Sequence, residues 1–396
     1  MLAFRTLVRV ETRGSYAVDL LNAGMAARLS PDDHALAQEI TFGCLRNQGQ
    51  LDWLITHYAT RTAEELDPEI RVTLRMGIYQ LRFLDRIPPH AAVDQSVALA
   101  HACGKTSASG LVNAVLRKVT RDPIAMPETA RLSTPPWLLK RWGPEVSALN
   151  NERPVTFLRL PPGAESELPR GRYVRNCVVF EDTSGVAPFP IQDEGSQMIP
   201  YLLDARDGHW VLDLCAAPGN KATQLGELAP SAKIVACDFY YARLMRVTTE
   251  MRVSLDGTVE LPFARQFDRI LIDAPCSGTG TVRRNPEIKW KLTPPDLREL
   301  AGQQVALIRS AIRALAPRGR LVYSTCSIEP EENERVVEMV LSRQHNVRLI
   351  PAAKEQERLK DAFTPEGLAL LGDPYFRAMP SAHGADGFFA AIFERV

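Results

Sequence analysis

The chain has 396 residues, in which 47 lysines and arginines balance 47 aspartates and glutamates. This length allows two or three domains, and the balanced charge excludes a global basic field, so any RNA contact must come from local patches. Seven cysteines without a CxxC pair argue against a disulfide framework and a zinc site, and no apolar run has the length of a signal-peptide core or a membrane span. We therefore expect a cytoplasmic protein with reduced thiols, no metal and no membrane partner.

The first part of the chain, to about residue 121, is predicted to be a bundle of helices because apolar residues recur at helical spacing. Arg71, Arg75, Arg82 and Arg86 recur along one of these helices, and Arg117, Lys118 and Arg121 close the last one. On the residues alone, these arginines suit either solvated helix faces or an RNA-binding surface. The predicted helical runs are Leu2–Leu29, Ala35–Cys44, Leu51–Tyr58, Ile70–Leu84, Val93–Ala100 and Leu111–Val119.

Prolines mark the next segment, since 11 of the 29 lie between Pro123 and Pro190. A short helix is predicted at Pro136–Trp142, and strand-like pieces such as Thr156–Leu160 follow. The composition predicts a small, abbreviated α/β connector.

From residue 191 the pattern changes to alternating helices and apolar strands. A helix is predicted at Ser196–Leu203, and a strand after His209 leads through small residues and Gly219 into a helix that begins near Lys221. The next strand, Ile234–Asp238, ends in an acid placed to accept hydrogen bonds from ribose hydroxyls. Because the loop matches neither a dinucleotide fingerprint nor a Walker loop, it favours an adenosyl ligand. Tyr240–Met251 is predicted to be helical, with little strand before Asp256.

Two later loops each place a cysteine after an apolar strand. Arg269–Ile272 is followed by Asp273, Pro275, Cys276 and two glycines, and Arg320–Thr325 is followed by Cys326. Since the carboxyl ends of parallel strands share one edge of the sheet, we expect Cys276, Asp273 and Cys326 to meet there. The alternative is two unrelated, half-buried thiols.

The segment between these loops is basic and carries a tryptophan. Lys289-Trp290-Lys291 suits an RNA backbone and a base face, and the alternative is a surface loop with a packed Trp. The helix Pro295–Leu315 and the strand Arg320–Ser324 complete a βαβ step. Val347–Ile350 and Asp386–Phe393 are predicted to be the closing strands.

Several of these motifs together resemble the RNA cytosine-5 methyltransferases, specifically the RsmB/Sun family that acts on small-subunit ribosomal RNA. The resemblance covers nearly the whole chain, because the amino-terminal part resembles NusB. The motifs that carry it are Asp213-Leu-Cys-Ala-Ala-Pro-Gly219 with Lys221, Asp273-Ala-Pro-Cys-Ser-Gly-Thr-Gly280, Arg284-Asn-Pro-Glu-Ile-Lys-Trp290 and Ser324-Thr-Cys-Ser327.

The resemblance implies a fold of α + α/β class in three parts. Residues 1–125 would form a NusB-like helical RNA-binding domain, and residues 126–190 a short Pro-rich connector. Residues 191–396 would form a Rossmann-like catalytic domain that uses S-adenosyl-L-methionine. The implied partner is RNA, with ribosomal RNA favoured, and a monomer is expected.

The resemblance also assigns residues to the site. Cys326 would be the nucleophile, Cys276 would help to release the product, and Asp273 would hold the polar edge of the base. Lys221 would orient Asp273 or lower the pKa of a thiol. The implied cofactor-binding residues are Cys215, Ala216, Ala217, Pro218, Gly219, Asn220, Lys221, Asp238, Asp256 and Asp273.

Three features depart from the family pattern: Asn220 replaces the second glycine of the loop, Ala222 replaces a threonine, and the segment from Asp238 to Asp256 is short. Asn is the residue after glycine that best accepts a positive φ, so we expect the loop to form. These departures support one alternative, a NusB-like RNA-binding or transcription factor with a decayed catalytic domain. An amino-group methyltransferase would instead carry Asn/Asp-Pro-Pro-Tyr where this chain has Asp273-Ala-Pro-Cys276, and methylation of another RNA such as tRNA also stays open.

Overall fold

The computed structural model describes residues 1–22, 29–122, 124–181, 187–381 and 384–396. The chain forms two compact units. Unit 1 contains residues 1–153 and 282–291, and unit 2 contains residues 154–281 and 292–396. Within the described ranges, no helix combines the length and the apolarity needed to cross a membrane.

Unit 1 is built from helices around one apolar core, which confirms the predicted bundle. One of its helices begins at a side-chain cap: the Ser30 side chain accepts a hydrogen bond from the Asp33 amide, and Pro31 occupies the first turn. The helices are α1 (Leu2–Arg13), α2 (Ala17–Leu21), α3 (Pro31–Arg46), α4 (Gln48–Ala59), α5 (Pro68–Phe83), α6 (Pro89–Ala102), α7 (Ser109–Arg121), α8 (Glu128–Arg131) and α9 (Pro136–Leu149).

The predicted helical run from Leu2 to Leu29 is interrupted. Gly14 has a φ of 63° and ends α1, since glycine adopts the left-handed conformation without steric cost. The chain re-enters helix at Ala17, and residues 23–28 of the predicted run lie outside the described residues.

Two of the arginines considered for RNA binding are used inside unit 1. Arg75 donates to both carboxylate oxygens of Asp52, at 2.6 and 2.8 Å, and to Glu11 at 2.7 Å. Arg71 also donates to Glu11. Arg75 is buried, so its guanidinium must be paired, and most of the Arg71 side chain is covered. These arginines tie α5 to α1 and α4, and their engaged side chains are not available to RNA. Arg82 and Arg86 are exposed.

Unit 2 begins with a small antiparallel sheet, in which the strand predicted near Thr156–Leu160 is present. Thr156 pairs with Phe180 at one end of the register and Arg159 with Cys177 at the other. The strands are β1 (Thr156–Arg159) and β2 (Cys177–Phe180).

An eight-stranded mixed sheet forms the main part of unit 2. The strands are β3 (Trp210–Asp213), β4 (Lys233–Asp238), β5 (Met251–Ser254), β6 (Phe267–Asp273), β7 (Leu315–Thr325), β8 (Val347–Ile350), β9 (Phe376–Ala378) and β10 (Phe388–Arg395). The helices in and between them are α10 (Glu194–Leu202), α11 (Asn220–Leu228), α12 (Tyr241–Leu244), α13 (Ile288–Lys291), α14 (Pro294–Ala314), α15 (Glu334–Leu341), α16 (Gln356–Leu359) and α17 (Pro365–Ala369).

The strand order is β5-β4-β3-β6-β7-β10-β8, with β9 also paired to β10. Strands β5 to β7 along this order run parallel, whereas β10 runs antiparallel to β7 and β8. The central strands are apolar because they are covered on both faces, and Ile270, Leu271 and Ile272 are fully buried. The predicted β6-α14-β7 step is confirmed. The carboxyl ends of β3, β4, β6 and β7 therefore lie along one edge.

The helix predicted at Tyr240–Met251 is much shorter than expected. Helix α12 has four residues, and Met251 already belongs to the edge strand β5. Leu244 and Val247 pack against Ala236 and fill the available apolar contacts, and the rest of the segment is mostly exposed. The helical spacing of apolar residues therefore predicted a longer helix than tertiary packing stabilises.

The basic segment 282–291 belongs to unit 1, although the residues on either side of it belong to unit 2. Lys289 is fully buried and donates to the Arg46 carbonyl at 2.9 Å and to the Asn151 side chain at 2.7 Å. The Trp290 indole donates to the Leu45 carbonyl at 2.7 Å. The interpretation of Lys289-Trp290-Lys291 as an RNA-contacting loop is therefore wrong for Lys289 and Trp290, because protein carbonyls engage their donors.

Candidate active site

The carboxyl-terminal edge of the sheet in unit 2 brings together acids and thiols from four strands. Asp213, Asp238 and Asp273 are the last residues of β3, β4 and β6, and Cys326 directly follows β7. Asp273 is the register partner of Ser324 on β7. Parallel pairing thus places the two cysteine loops side by side, as the strand pattern predicts.

The two thiols of this edge face each other. The Sγ atoms of Cys276 and Cys326 are 3.4 Å apart, both side chains are half-buried, and both cysteines are free. The hydrogen bond with Cys326, together with burial, holds the pKa of the Cys276 thiol well above its usual range. Cys276 is therefore a protonated thiol that can donate to the sulfur of Cys326.

Asp273 is held between a lysine and a hydroxyl. Lys221, in the first turn of α11, donates to Oδ2 at 2.7 Å, and Ser324 donates to Oδ1 at 2.9 Å. The Lys221 ammonium also lies 5.4 Å from the ring centroid of Phe388. Of the two functions considered for Lys221, this contact supports the orientation of Asp273.

A buried carboxylate that the sequence did not identify connects the two cysteine loops. Oε1 of Glu332 accepts hydrogen bonds from the Ser277 amide at 2.8 Å and from the Gln304 amide at 3.1 Å. Oε2 accepts from the hydroxyls of Ser277 and Ser327. Glu332 is fully buried, and burial raises its pKa. The residues that follow Cys276 and Cys326 are thereby bonded to the same carboxylate.

The loop after β3 has a fixed backbone. The Ala216 amide donates to the Cys237 carbonyl at 2.7 Å, and the Ala217 amide donates to Asp238 Oδ2 at 3.2 Å. Gly219 has a φ of 117°, and a Cβ there would lie 3.1 Å from the Cα of Val247. Only glycine fits this position without strain.

Asn220 does not need the positive φ that was expected of it. Gly219 takes the left-handed conformation, and Asn220 is the first residue of α11. The side-chain amide of Asn220 donates to the Ile191 carbonyl at 3.2 Å. Replacement of the family's second glycine is therefore compatible with the loop for a different reason from the one predicted.

Comparisons with known proteins agree with this geometry. Residues 200–394 match the model of the 16S rRNA methyltransferase RsmB/F family, and residues 1–121 match that of the NusB family. Ribosomal RNA small subunit methyltransferase B from Escherichia coli O139:H28 is 35% identical over 92% of this chain and 91% of its own length. The chain belongs to the RsmB/F methyltransferase family.

Solved structures support the fold of this RsmB/F member. The crystal structure of PH0851 superposes with a TM-score of 0.78 and covers 99% of this chain and 98% of its own, at 24% identity. A methyltransferase homologue from Pyrococcus horikoshii has a TM-score of 0.53 at 25% identity, covering 68% of this chain and 98% of its own. The predicted fold class, a NusB-like helical part followed by a Rossmann-like methyltransferase part, is confirmed.

The RsmB/F family uses S-adenosylmethionine, and the residues of this edge fit that cofactor. Asp238 ends β4, and its two oxygens accept the backbone amides of Ala217 and Tyr240 while keeping lone pairs for ribose hydroxyls.

Asp213 is a further acid of this RsmB/F site that was quoted in the motif but given no function. It is buried, and burial followed by the charge of Asp273 raises its pKa to about 7. The Cys215 backbone lies in contact with it, and among the described residues neither of its oxygens has a hydrogen bond of ordinary geometry. Such an acid suits the amino group of the cofactor's methionine part. The sequence did contain a signal for Asp213, because it ends an apolar strand in the same way as Asp238 and Asp273 do.

Asp256 is separate from the other predicted site residues. It lies exposed after the edge strand β5, where its Oδ1 accepts hydrogen bonds from the amide and the hydroxyl of Thr258 at 2.9 and 2.6 Å. These bonds lower its pKa. Within the described residues, no hydrogen bond joins Asp256 to Asp238 or to the cofactor loop of this RsmB/F member.

Proposed function

We propose that the protein methylates carbon 5 of a cytosine in small-subunit ribosomal RNA, through a covalent adduct between the base and Cys326. The observation that carries this proposal is the pair of thiols 3.4 Å apart beside Asp273. A single-step transfer to an amino group has no use for a second thiol at this distance. The substrate follows from the family and from the E. coli relative, a ribosomal RNA small subunit methyltransferase.

The chemistry requires a nucleophile because carbon 5 of cytosine is too electron-poor to accept a methyl group unaided. The Cys326 thiolate adds to carbon 6, the ring electrons move to carbon 5, and the ring nitrogen takes up a proton. S-adenosylmethionine, when bound, supplies an electrophilic methyl group to carbon 5. Water then takes up the carbon-5 proton, and the electrons of that bond re-form the double bond between carbons 5 and 6. This breaks the bond between sulfur and carbon 6 and returns the Cys326 thiolate, and the ring nitrogen gives up its added proton.

The neighbouring residues divide the remaining tasks. Asp273, oriented by Lys221 and Ser324, holds the ring nitrogen and the amino group of the base. Cys276 helps release the product, and its protonated state supports this role because it can stabilise the Cys326 sulfur as it leaves. The base must be unpaired or flipped out, since attack comes from above its ring.

Residues around this edge would hold the cofactor and the substrate. We propose that the loop of Cys215, Ala216, Ala217, Pro218, Gly219, Asn220 and Lys221 holds the cofactor together with Asp238, Asp273 and Asp213, with Asp256 as its outermost contact. The division into 1–125, 126–190 and 191–396, a monomeric state and a cytoplasmic location remain parts of the proposal.

Trapping of the covalent adduct tests this function. With RNA carrying 5-fluorocytosine, the carbon-5 fluorine cannot be removed, so wild-type protein should form an adduct that survives denaturing electrophoresis. Cys326→Ala should reduce the adduct to background. Cys276→Ala should accumulate adduct on ordinary RNA because release is slowed.

Cys103→Ala serves as the control, since Cys103 is a half-buried thiol of unit 1. It should behave as wild type in both assays. Equal adduct formation by Cys326→Ala and wild type would refute the proposed nucleophile.

A further inference from the structure

An exposed aromatic run directly follows Asp238. The exposed fractions are 63% for Phe239, 59% for Tyr240 and 65% for Tyr241, with Met245 at 47%. We call these four residues the aromatic patch. Most large apolar side chains avoid water, so an exposed cluster of this kind marks a contact surface.

The aromatic patch is exposed because the segment behind it is short. Helix α12 has only four residues, and its apolar anchors Leu244 and Val247 are buried against the cofactor loop and β4. The neighbouring side chains on the outer side therefore have no helix to cover them. Their backbone is nevertheless fixed, because the Tyr240 amide donates to Asp238 at 2.9 Å.

An arginine joins the aromatic patch to the cofactor loop. Arg243 donates to the Ala217 carbonyl at 3.3 Å, and its guanidinium lies 6.0 Å from the ring centroid of Tyr240. The rings of Phe239 and Tyr240 meet edge to face at 5.1 Å. The aromatic patch and the Arg243 guanidinium therefore form one preorganised surface.

Charge favours a nucleic acid as the partner of this surface. Arg243 and Arg246 are both exposed, and no acid occurs between Phe239 and Thr249. Aromatic faces interleaved with arginines bind unpaired bases through stacking and backbone phosphates through charge. In contrast, the basic and aromatic residues Lys289 and Trp290, which resembled an RNA contact in the sequence, donate to carbonyls of unit 1.

We propose that Tyr240 and Tyr241, with Arg243 and Arg246, form a stacking platform for an unpaired nucleotide of the substrate RNA that flanks the target cytosine. This inference rests on the proposed function. The platform lies at the end of β4, three strands from β7 and Cys326. At about 4.8 Å per strand, the separation is on the order of 14 Å, which a few nucleotides of single strand can span.

The platform can be tested by the affinity for RNA, which does not require turnover. Filter binding would use the full-length protein and an unmodified small-subunit ribosomal RNA transcript. Replacing Tyr241 by leucine keeps an apolar side chain and removes the ring. The variant Tyr241→Leu should raise the Kd for RNA by about tenfold, the effect of one lost base–aromatic stack. The double change Y240L/Y241L should raise it further.

Two matched variants separate stacking from other effects. Tyr241→Phe retains the ring and should stay within about twofold of wild type, since the stack survives. Arg246→Gln should weaken binding and reduce the slope of log Kd against log salt by about one, because one phosphate contact is lost. Tyr241→Leu should leave that slope unchanged.

Cofactor affinity is measured in parallel with S-adenosylhomocysteine by calorimetry. It should not change in Tyr241→Leu. The platform would be overturned if Y240L/Y241L bound RNA as wild type does. It would also be overturned if the double variant lost affinity for S-adenosylhomocysteine alone, because that result would assign the rings to the cofactor. The 5-fluorocytosine adduct of wild-type protein tests the proposed function separately.

Discussion

Glu332 shows how much of the catalytic geometry depends on one side chain. It accepts hydrogen bonds from the loop that follows Cys276, from the loop that follows Cys326 and from Gln304 on α14. Gln304 in turn donates to the Pro275 carbonyl at 3.0 Å. Because none of these bonds involves a thiol or Asp273, we propose that Glu332 is a positioning residue that sets the separation of the two thiols.

The variants Glu332→Gln and Glu332→Leu should therefore differ strongly. Glutamine can accept from the Ser277 and Gln304 amides through its oxygen and donate to both hydroxyls through its nitrogen, so the loops stay bonded. Leucine leaves four polar groups without their partner. We expect adduct formation on 5-fluorocytosine RNA to slow by about 100-fold in Glu332→Leu and by less than about fivefold in Glu332→Gln.

The Kd for RNA and the pH profile of adduct formation distinguish positioning from proton transfer. Both variants should bind RNA as wild type does, and Glu332→Gln should keep the wild-type pH profile. A glutamine variant as slow as the leucine variant would show that the charge of Glu332, rather than its hydrogen bonds, is required.

At the residue scale, the sequence predicted which side chains meet at the edge of the sheet, but it did not predict the side chain that connects their loops. Cys276, Asp273 and Cys326 could be placed because each follows an apolar strand that is readable by itself. Glu332 could not, since its partners Ser277 and Gln304 are remote in sequence and its neighbours in the acidic run look the same. Glu332 differs from the neighbouring acids because tertiary contacts bury it, and a local sequence pattern does not contain that information.

At the scale of elements, the segment 282–291 caps helices of unit 1. Lys289 and Trp290 donate to the carbonyls of Arg46 and Leu45 at the end of α3. Lys291 donates to the carbonyls of Gly14 and Ser15, just beyond α1, at 3.0 and 2.6 Å. These side-chain donors satisfy carbonyls at helix carboxyl ends, which lack a partner within the helix.

Removal of one of these caps should destabilise unit 1. Trp290→Phe keeps the ring and leaves the Leu45 carbonyl without its donor, a loss of about 1–2 kcal/mol. Trp53→Phe is the matched control, because Trp53 stacks on His57 and its indole N–H makes no hydrogen bond within the described residues. Urea unfolding followed by circular dichroism should show a lower midpoint for Trp290→Phe only. Equal midpoints for the two variants would contradict the capping role.

Element boundaries were predictable where a cap or a glycine marked them and not elsewhere. The runs predicted from Ala35 and Pro295 belong to helices that begin at Pro31 and Pro294, directly after the caps Ser30 and Thr293. The segment from Tyr240 to Met251 carries apolar residues at helical spacing, but only Leu244 and Val247 find a surface to pack on. Helix length there follows from the available surface, which the spacing of apolar residues does not reveal.

At the scale of the whole molecule, the chain divides its stability between two units with separate cores. Unit 1 is not a continuous stretch of sequence, because residues 282–291 complete it. Chains with two such units commonly unfold in more than one step. Each unit also contains a buried ionisable group whose pKa is shifted to about 7, Lys289 in unit 1 and Asp213 in unit 2, so the two steps should respond differently to pH.

The signs of the two responses are opposite. In unit 2, burial raises the pKa of Asp213 from 3.8 to about 7, so folding favours the protonated acid. Its contribution to stability is fully present below pH 3.8 and is lost as the pH rises to 7. In unit 1, burial lowers the pKa of Lys289 from 10.5 to about 7, so folding favours the neutral amine. Its contribution is fully present above pH 10.5 and is lost as the pH falls to 7.

Both effects should be resolved by measuring the unfolding free energy of the cofactor-free protein between pH 4 and 10. Wild type is compared with Asp213→Asn and with Lys289→Met. Between pH 4 and 7, the unfolding free energy of unit 2 in wild type should fall relative to Asp213→Asn by about 1.4 kcal/mol per pH unit. Between pH 7 and 10, that of unit 1 should rise relative to Lys289→Met with a similar slope. Each substitution removes the titrating group from one unit only, so it should leave the pH dependence of the other unit's transition unchanged. A parallel change of both transitions in either variant would mean that the two units unfold as one.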